Sequence, residues 1–564
     1  MVQVTRGGFA YPGTSLEFKT GTWRVERPFH LHRVAPCHGA CPAGEDAQAY
    51  LALVEEEHFQ EAWENLVSAN PLPAITGRVC HHPCESACNR QYYDDPVAIH
   101  NVERYLGDRA LEEDWPYPVS RPAADAPKVA VVGAGPAGLS AAYHLLRQGL
   151  AVTLFEMLPE PGGLLRTAIP AYRLPRDILN GELGRLISVG MDYRGGQRLG
   201  RDIFLDELRE EYRAVFLGPG TQKSRDWSID GATPEDLHVG LDLLKEWMAV
   251  GKIPTWESVA IVGAGNTAVD LARVLKRAGV REVHIISHKA IPAPGIPPED
   301  TMPAIPREIT QALEEGVQIH EHRGVQRLIL RGERITGIEM VHMKKLPGKD
   351  GRLHRVAFEG TETLLHVDQV IPAIGQVLDP DGLEVLVDGA SFLKADGWGR
   401  LPGHPDVFTG GDARGDRGTV TEAVGDGRRA ALAIASYVAG EPIPEEHSSE
   451  PIPFEAMNVH YFEPAPRPRE PVLPPERRMT GCAEIEQGLD KVQVVGEGHR
   501  CFSCGNCFAC DNCWTLCPDT AVLKTTELAR DGSHYVFDYD YCKGCGICAH
   551  ECPCGFILME PEHV

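Results

Sequence analysis

Two cysteine runs near the end of this chain constrain it more than any other feature. CFACDNCWTLCP places Cys507, Cys510, Cys513 and Cys517 at C-x2-C-x2-C-x3-C-P, and CKGCGICAHECP repeats the spacing with Cys542, Cys545, Cys548 and Cys552. Each run offers thiolates at the separations that hold a cubic [4Fe-4S] cluster, and in two-cluster peptides the fourth cysteine of each run ligates the other cube. One cube is therefore expected on Cys507, Cys510, Cys513 and Cys552, and the other on Cys542, Cys545, Cys548 and Cys517. Cys501 and Cys504 keep the same three-residue period upstream, but only the register starting at Cys507 ends in x3-C-P. Cys501 and Cys504 read as structural or as a minor extra site, and Cys482 and Cys554 receive no role.

The remaining cysteines decide the chemical class. Disulfide scaffolds belong to small secreted domains, whereas these 17 cysteines sit in two terminal patches, with none between Cys88 and Cys482. Metal clusters in a reducing compartment fit that distribution better. MVQVTRGGFAYPG lacks the charged-then-apolar pattern of a signal peptide, and no apolar run is long enough to span a bilayer, so a cytoplasmic location is expected. A length of 564 residues exceeds one core and predicts three to five domains. The formal charge of -25 argues against a nucleic-acid partner; it serves solubility, or orients the chain on a basic protein surface.

Two stretches carry nucleotide-binding signatures. KVAVVGAGPAGLSAAYHLLRQGLAVTLFE reads as a strand, a G-x-G-x-x-G turn at Gly133, Gly135 and Gly138, a helix, a second strand and an acid at Glu156. The glycines let the backbone approach a pyrophosphate at the helix N-terminus, and the carboxylate accepts hydrogen bonds from a ribose. ESVAIVGAGNTAVDLARVLKRAGVREVHIIS repeats the unit with Gly263, Gly265 and Ala268 at the third small position. Two such units suggest a flavin and a nicotinamide nucleotide facing each other; the competing reading of either is an ordinary strand-to-helix corner.

Around these motifs the chain divides by pattern. Residues 1-115 read as a helical unit, because DAQAYLALVEEEHFQEAWENLV spaces apolar residues three and four apart before the breaker NPLP. WPYPVSRPAADAP is a linker, and Lys128 to about Gly440 alternates short apolar strands, glycine turns and helical stretches, as in doubly wound α/β structure. Residues 441-494 are too rich in proline for a domain and read as an extended surface connector. Residues 495-564 form the ferredoxin-like α+β unit.

The order of motifs resembles the small, flavin-bearing subunit of NADPH-dependent glutamate synthase and its relatives, a family that includes the electron-input half of dihydropyrimidine dehydrogenase. The stretches that carry the likeness are GRVCHHPCESACNR, VERYLGDRALE, GAGPAGLSAA, PGGLLRTAIPAYRLP, GAGNTAVDLAR, AIGQ and VFTGGDARGDRGTVTEAVGDGR. The resemblance implies two nested Rossmann-like domains: an FAD domain over 127-249 and 366-440, with an NAD(P) domain over 250-365 inserted in it. It implies FAD contacts at Gly133, Gly135, Pro136, Ala137, Gly138, Glu156, Gly163 and Leu164, and in a second motif at Gly411, Asp412, Thr419 and Val420. It places the nicotinamide nucleotide on Gly263, Gly265, Asn266 and Thr267. Relatives end the next strand in Tyr-Arg-Arg, whose arginines hold the 2'-phosphate of NADP; here Ser287, His288 and Lys289 stand instead. A neutral histidine and one lysine offer less than two forked guanidinium groups, so NAD and NADP both stay open, with a lean to NAD.

Five more thiols, Cys37, Cys41, Cys80, Cys84 and Cys88, precede the first glycine turn. A zinc site is the plain alternative. The resemblance implies an iron-sulfur cluster on Cys41, Cys80 and Cys84 with Glu103 as the fourth group. A second cluster of relatives needs a C-x2-C pair where this chain has Phe29 and His32, so it is expected to be absent, leaving Cys37 and Cys88 to reinforce or replace ligands.

Three [4Fe-4S] clusters, FAD and a nicotinamide nucleotide imply an NAD(P)H:acceptor oxidoreductase. A flavin exchanges hydride with the nucleotide and single electrons with the clusters, and no protein acid or base is nominated as catalytic. With neither a glutaminase segment nor an FMN-barrel domain in the sequence, the terminal substrate is expected on a partner subunit of a hetero-oligomer. Two other readings are an NAD(P)-reducing subunit of a 2-oxoacid oxidoreductase complex and a non-enzymatic assembly or sensor protein.

Overall fold

The computed structural model describes residues 4-6, 17-229, 237-332, 334-347, 353-387, 389-415, 418-444, 450-529 and 532-562. It divides into two compact units: Met1–Pro118, Pro444–Arg469 and Gly488–Val564 form the first, and Val119–Ile443 with Glu470–Gln487 the second.

The second unit is α/β. Six strands form one sheet in the order Arg400–Leu401, His404–Thr409, Ala214–Leu217, Lys128–Val132, Ala151–Glu156, Asp192–Gly195, parallel throughout except for the edge pair Arg400–Leu401 and His404–Thr409. Val129 to Val132 and Ala214 to Leu217 are buried as continuous apolar runs, as parallel strands covered on both faces must be. A four-stranded parallel sheet follows the order Gln318–His320, Glu282–Ile286, Ser258–Val262, Gln369–Pro372. Its core gathers Val259, Ile261, Leu271, Val274 and Ile285 around the helix Asn266–Arg277. From this sheet the chain runs into an antiparallel arm in which Arg334–Pro347 pairs with Arg323–Arg331, Leu353–Ala357 and Thr363–Leu365.

In the first unit the helical pattern after Asp46 forms two helices. Ala47–Glu55 starts on the Asp46 side chain, which accepts from the Ala49 amide at 3.2 Å, and a left-handed Glu57 (φ 62) breaks the chain before Phe59–Val67. Tyr50, Leu51, Val54, Ala62, Trp63 and Leu66 bury the apolar face.

The helical N-terminal segment and the ferredoxin-like segment, expected as separate domains, share this unit. Glu26–His30 pairs antiparallel with Ile557–Pro561, setting Phe29 opposite Leu558. The helix Lys491–Arg500 lies so close on Ala47–Glu55 that a Cβ at Gly498 would stand 2.9 Å from the Glu55 amide nitrogen. The connector is likewise shared out. Arg467 reaches Glu85 at 2.6 Å in the first unit, and Arg478 reaches Glu314 at 2.7 Å in the second. Charged side chains among its prolines pin it by polar contacts that composition does not show.

Candidate flavin, nucleotide and iron-sulfur sites

Strand Lys128–Val132 delivers the chain into a turn that glycine alone can make. Gly133 sits at φ +98, and a Cβ there would lie 2.2 Å from the Gly218 carbonyl oxygen; a Cβ at Gly138 would lie 1.8 Å from that of Gly133. Gly135 is different, because a Cβ there meets nothing within 4 Å. The turn is closed behind and open in front, where the first amides of the helix Pro136–Arg147 lack intrahelical partners. Glu156 closes one side, accepting from the Ala134 amide at 2.7 Å and the Leu158 amide at 3.0 Å, while burial pushes its carboxyl up. Gly163 and Leu164 lie against the same turn, since the Gly162 amide donates to Ala134 at 2.8 Å and a Cβ on Gly163 would be 3.1 Å from Gly135 Cα.

The second motif expected to contact FAD packs onto this helix start. The Gly411 amide donates to Asp426 at 2.9 Å, and a Cβ at Gly411 would stand 3.0 Å from that of Ala137. Thr419 and Glu422 form a reciprocal cap for Val420–Ala439. That helix crosses Pro136–Arg147 at Gly427, where a Cβ would lie 2.2 Å from the Ala137 carbonyl oxygen, and Ser140 Oγ donates to Val424 at 2.7 Å. Asp412 is half-buried, and desolvation pushes its carboxyl up, with the Thr221 hydroxyl at 3.5 Å as a weak donor. A Cβ-free cradle, two helix starts, and one buried and one half-buried carboxylate able to accept from sugar hydroxyls fit a dinucleotide.

The second glycine turn has the same construction. Gly263 holds φ +158 with a virtual Cβ 2.3 Å from the Ala373 carbonyl oxygen, and Gly265 opens to free space. Asn266 and Thr267 begin the helix, with Asn266 Oδ1 accepting from the Ile305 amide at 3.0 Å, and Ala268 is fully buried. Beyond strand Glu282–Ile286, Ser287 Oγ accepts from the Lys289 amide at 3.0 Å and donates to the Lys289 carbonyl at 2.8 Å, fixing the turn that presents His288 and Lys289. Burial, then Arg355, Lys289 and Lys345, pushes His288 down to about 4, and its Nε2 is buried without a hydrogen bond. Burial, then Lys345 and Arg355, likewise lowers Lys289. Lys345 and Arg355 face each other across the antiparallel arm. No spacing in the sequence links them to the glycine turn, and sequence reasoning missed both.

The N-terminal thiols separate into two groups. Cys41, Cys80 and Cys84 lie together with Glu45 and Glu103. Burial, then Glu45, pushes the Cys41 thiol up, with Glu103 and Cys80 adding to the effect. Asn70 Nδ2 donates to Glu103 at 3.0 Å and to Glu45 at 2.8 Å, the Thr76 hydroxyl also donates to Glu103, and the His82 amide donates to Cys80 Sγ at 3.2 Å. Glu45 was missed as a second buried carboxylate beside these thiols; its place four residues after Cys41 was the available signal. Cys37 and Cys88 line a different cavity, together with Cys501 and Cys504.

In the ferredoxin-like segment the two runs interlock. Cys510 lies beside Cys552 and Cys507, and Cys513 beside all three. Cys548 gathers with Cys542, Cys517 and Cys545, and burial with their repulsion pushes its thiol up to about 12; these four line one cavity with Phe537 and Ile547. Backbone amides donate to Cys517 Sγ from Ala521 and to Cys552 Sγ from Phe556, each at 3.3 Å. Cys554 adds a buried sulfur 3.7 Å from that of Cys552.

Comparison with known proteins sets these sites in a family. Residues 127–427 match the model for pyridine nucleotide-disulphide oxidoreductases, residues 30–115 that for dihydropyrimidine dehydrogenase domain II with its 4Fe-4S cluster, and residues 535–558 a 4Fe-4S binding domain. The chain belongs to the pyridine nucleotide-disulphide oxidoreductase family. This oxidoreductase is 34% identical to the NADP(+)-dependent formate dehydrogenase subunit beta of Moorella thermoacetica, over 83% of its own length and 70% of the relative's. It is 32% identical to the NADPH-Fe(3+) oxidoreductase subunit beta of Geobacter sulfurreducens, over 85% and 77%. The glutamate synthase [NADPH] small chain of Escherichia coli K12 is 30% identical, over 71% of this chain and 88% of that one. The expected kinship with glutamate synthase small subunits therefore holds, and the chain is an iron-sulfur flavoprotein oxidoreductase that exchanges electrons between a nicotinamide nucleotide and an acceptor. Among the described residues, no helix is long and apolar enough to cross a membrane.

Proposed function

We propose that this oxidoreductase is the NADPH-handling subunit of a larger complex, binding FAD on the first glycine turn and NADPH on the second. On this reading the four-stranded sheet and its arm are a nicotinamide domain inserted in the FAD domain. The subunit also carries three [4Fe-4S] clusters: one on Cys41, Cys80 and Cys84 with Glu103 or Glu45, and two on the interlocked ferredoxin runs. Bound FAD would supply two-electron chemistry toward the nucleotide and one-electron chemistry toward the clusters. The chain's own part is positional. Gly135 admits the pyrophosphate, Glu156 and Asp412 accept from sugar hydroxyls, and backbone amides donate to Cys80, Cys517 and Cys552. The names of the relatives, beta subunits and a small chain, favour a partner subunit carrying the terminal substrate, and cytoplasmic residence follows from the thiol chemistry.

One observation carries the choice of NADPH. Lys289, Lys345 and Arg355 gather at the end of the strand that follows the second glycine turn, where His288 is held neutral. Cations supplied from the arm do the work that the lean toward NAD assumed to be missing. One charge-assisted hydrogen bond is worth about 1.5 to 3 kcal/mol, so Arg355→Ala is expected to lower the NADPH:NADH ratio of kcat/KM about tenfold or more while NADH values stay level. Anaerobic stopped-flow bleaching of the flavin by each nucleotide measures it. Wild-type indifference to the 2'-phosphate would overturn the assignment, and subunits co-purifying with the native protein would identify the partner.

A further inference from the structure

Four thiols that the sites above do not use converge in the first unit. Cys37 lies in the short helix Pro36–Ala40, Cys88 follows Pro83–Ser86, and Cys501 and Cys504 follow the helix Lys491–Arg500. All four line one small cavity, walled by the apolar side chains of Leu51 and Ile99. Asn89 Nδ2 approaches Cys504 Sγ at 3.7 Å across 415 residues of sequence. We infer that Cys37, Cys88, Cys501 and Cys504 together hold a further [4Fe-4S] cluster.

A single buried cysteine is ordinary packing; four from two ends of a chain meeting at one cavity are a ligand set. None of them is in a disulfide. The loop CFSCG is shaped for a cluster, with Ser503 at φ 52 and Gly505 at φ 74, and the Ser503 amide donates to Cys501 Sγ at 3.5 Å. Amide-to-sulfur contacts of this kind also occur at Cys80, Cys517 and Cys552. The set is nonetheless wider than a zinc site. Among the described residues, the candidate ligand atoms that draw within 4.8 Å of one another in a group of three or more are those of His82, Glu85 and His100 and include no three of these sulfurs, whereas thiolates around one zinc ion stand about 3.8 Å apart for bonds of about 2.3 Å. Arg90 also lines the cavity and is almost fully buried, so a cation stands beside the net negative charge of a thiolate-ligated cluster.

Position gives this cluster a task. Cys37 is four residues from Cys41, Cys88 four from Cys84, and Cys504 three from Cys507. At about 3.3 to 3.6 Å per extended residue, ligands of adjoining clusters are at most about 15 Å apart. The cluster joins the Cys41 group to the ferredoxin cubes, taking one electron as one neighbour is oxidised and giving one as the other is reduced, with no bond or proton changing hands.

Iron, acid-labile sulfide, zinc and flavin in the anaerobically purified full chain test this. About sixteen irons per FAD are expected, falling to about twelve in Cys501→Ser/Cys504→Ser and equally in Cys37→Ser, with FAD retained as the sign of an intact fold. The total rests on the three clusters proposed above, but the loss of four does not. Twelve irons in wild type falling to eight in the double variant would keep this cluster and remove the Cys41 cluster instead. An unchanged iron count in flavin-replete variants, or one zinc lost in place of four irons, would overturn the inference. Should the variants lose flavin, the wild-type count and Cys41→Ser decide: sixteen irons without zinc, or twelve unchanged in Cys41→Ser, supports it, and twelve falling to eight in Cys41→Ser refutes it.

Discussion

A methyl group added at Gly138 would collide with the Gly133 carbonyl oxygen, whereas one at Gly135 would enter open space. Two glycines of one motif thus serve different ends, and their alanine variants should fail differently. Gly138→Ala forces helix and strand apart and should yield little folded protein. Gly135→Ala should fold with normal iron but bind FAD weakly, because its methyl occupies the space of the pyrophosphate; flavin-to-protein ratios and circular dichroism separate the two. Retention of full flavin in Gly135→Ala would mean that the cofactor lies elsewhere. His288 makes a pH statement at the same scale. Burial lowers it to about 4 from an ordinary 6.5, so it is neutral at pH 7 and contributes no cation that rising pH could remove. NADPH selectivity should therefore stay level from about pH 6.5 to 8.5 and fall only where the 2'-phosphate loses its second charge, near pH 6. A decline through pH 6.5 to 7.5 in steady-state selectivity would instead assign the phosphate to a charged His288.

The helix Asn266–Arg277 shows what a motif can mean beyond its glycines. Asp270 pairs with Arg173 at 2.7 Å, Arg273 with Glu308 and, at 2.7 Å, with Glu315, and Arg277 with Glu315 at 2.8 Å. Tyr172 lies under two guanidinium groups, with Arg273 4.7 Å and Arg277 4.0 Å from its ring centre. The stretches PAYRLP and GAGNTAVDLAR, two carriers of the family likeness, thus meet in one buried ionic network. Removing one member strands its partner, at about 3 to 5 kcal/mol, whereas replacing both with apolar groups costs far less. Arg173→Met should accordingly lower the thermal unfolding midpoint steeply, and Arg173→Met/Asp270→Leu should recover most of it, followed by flavin fluorescence. An additive double variant would show the two residues to be independent. Elements with a local rule, the glycine turns and the cysteine runs, were legible in the sequence because turn geometry and ligand spacing act over a few residues. Lys345 and Arg355 and the meeting of Cys37 with Cys504 were not, since each depends on which distant elements pack together.

At the scale of the whole molecule, the ferredoxin-like segment is held by more than its connector. Its last strand pairs with Glu26–His30, where Phe29 lies opposite Leu558, and Arg24 binds Glu562 through two nitrogens at 2.8 and 2.6 Å. The helix Lys491–Arg500 begins with a reciprocal cap at Asp490 and Gln493 and ends where Arg500 meets Asp94 at 3.1 Å. Arg90 shares that aspartate and stacks its guanidinium 4.9 Å from the Phe502 ring centre. A four-thiolate cluster on Cys37, Cys88, Cys501 and Cys504 would staple the same two segments, much as a structural metal closes a small domain. Cutting the chain at a protease site placed between Gln487 and Gly488 should therefore not release the ferredoxin-like segment. The nicked protein should elute as one species in gel filtration with its full iron and flavin. Chelation of iron under reducing conditions should then let the C-terminal fragment leave far more readily than it leaves the untreated nicked protein. Immediate separation on cutting would show that the strand pair, the helix and the ion pairs are too weak to hold the segment. Equal retention with and without iron would show that metal adds nothing to them.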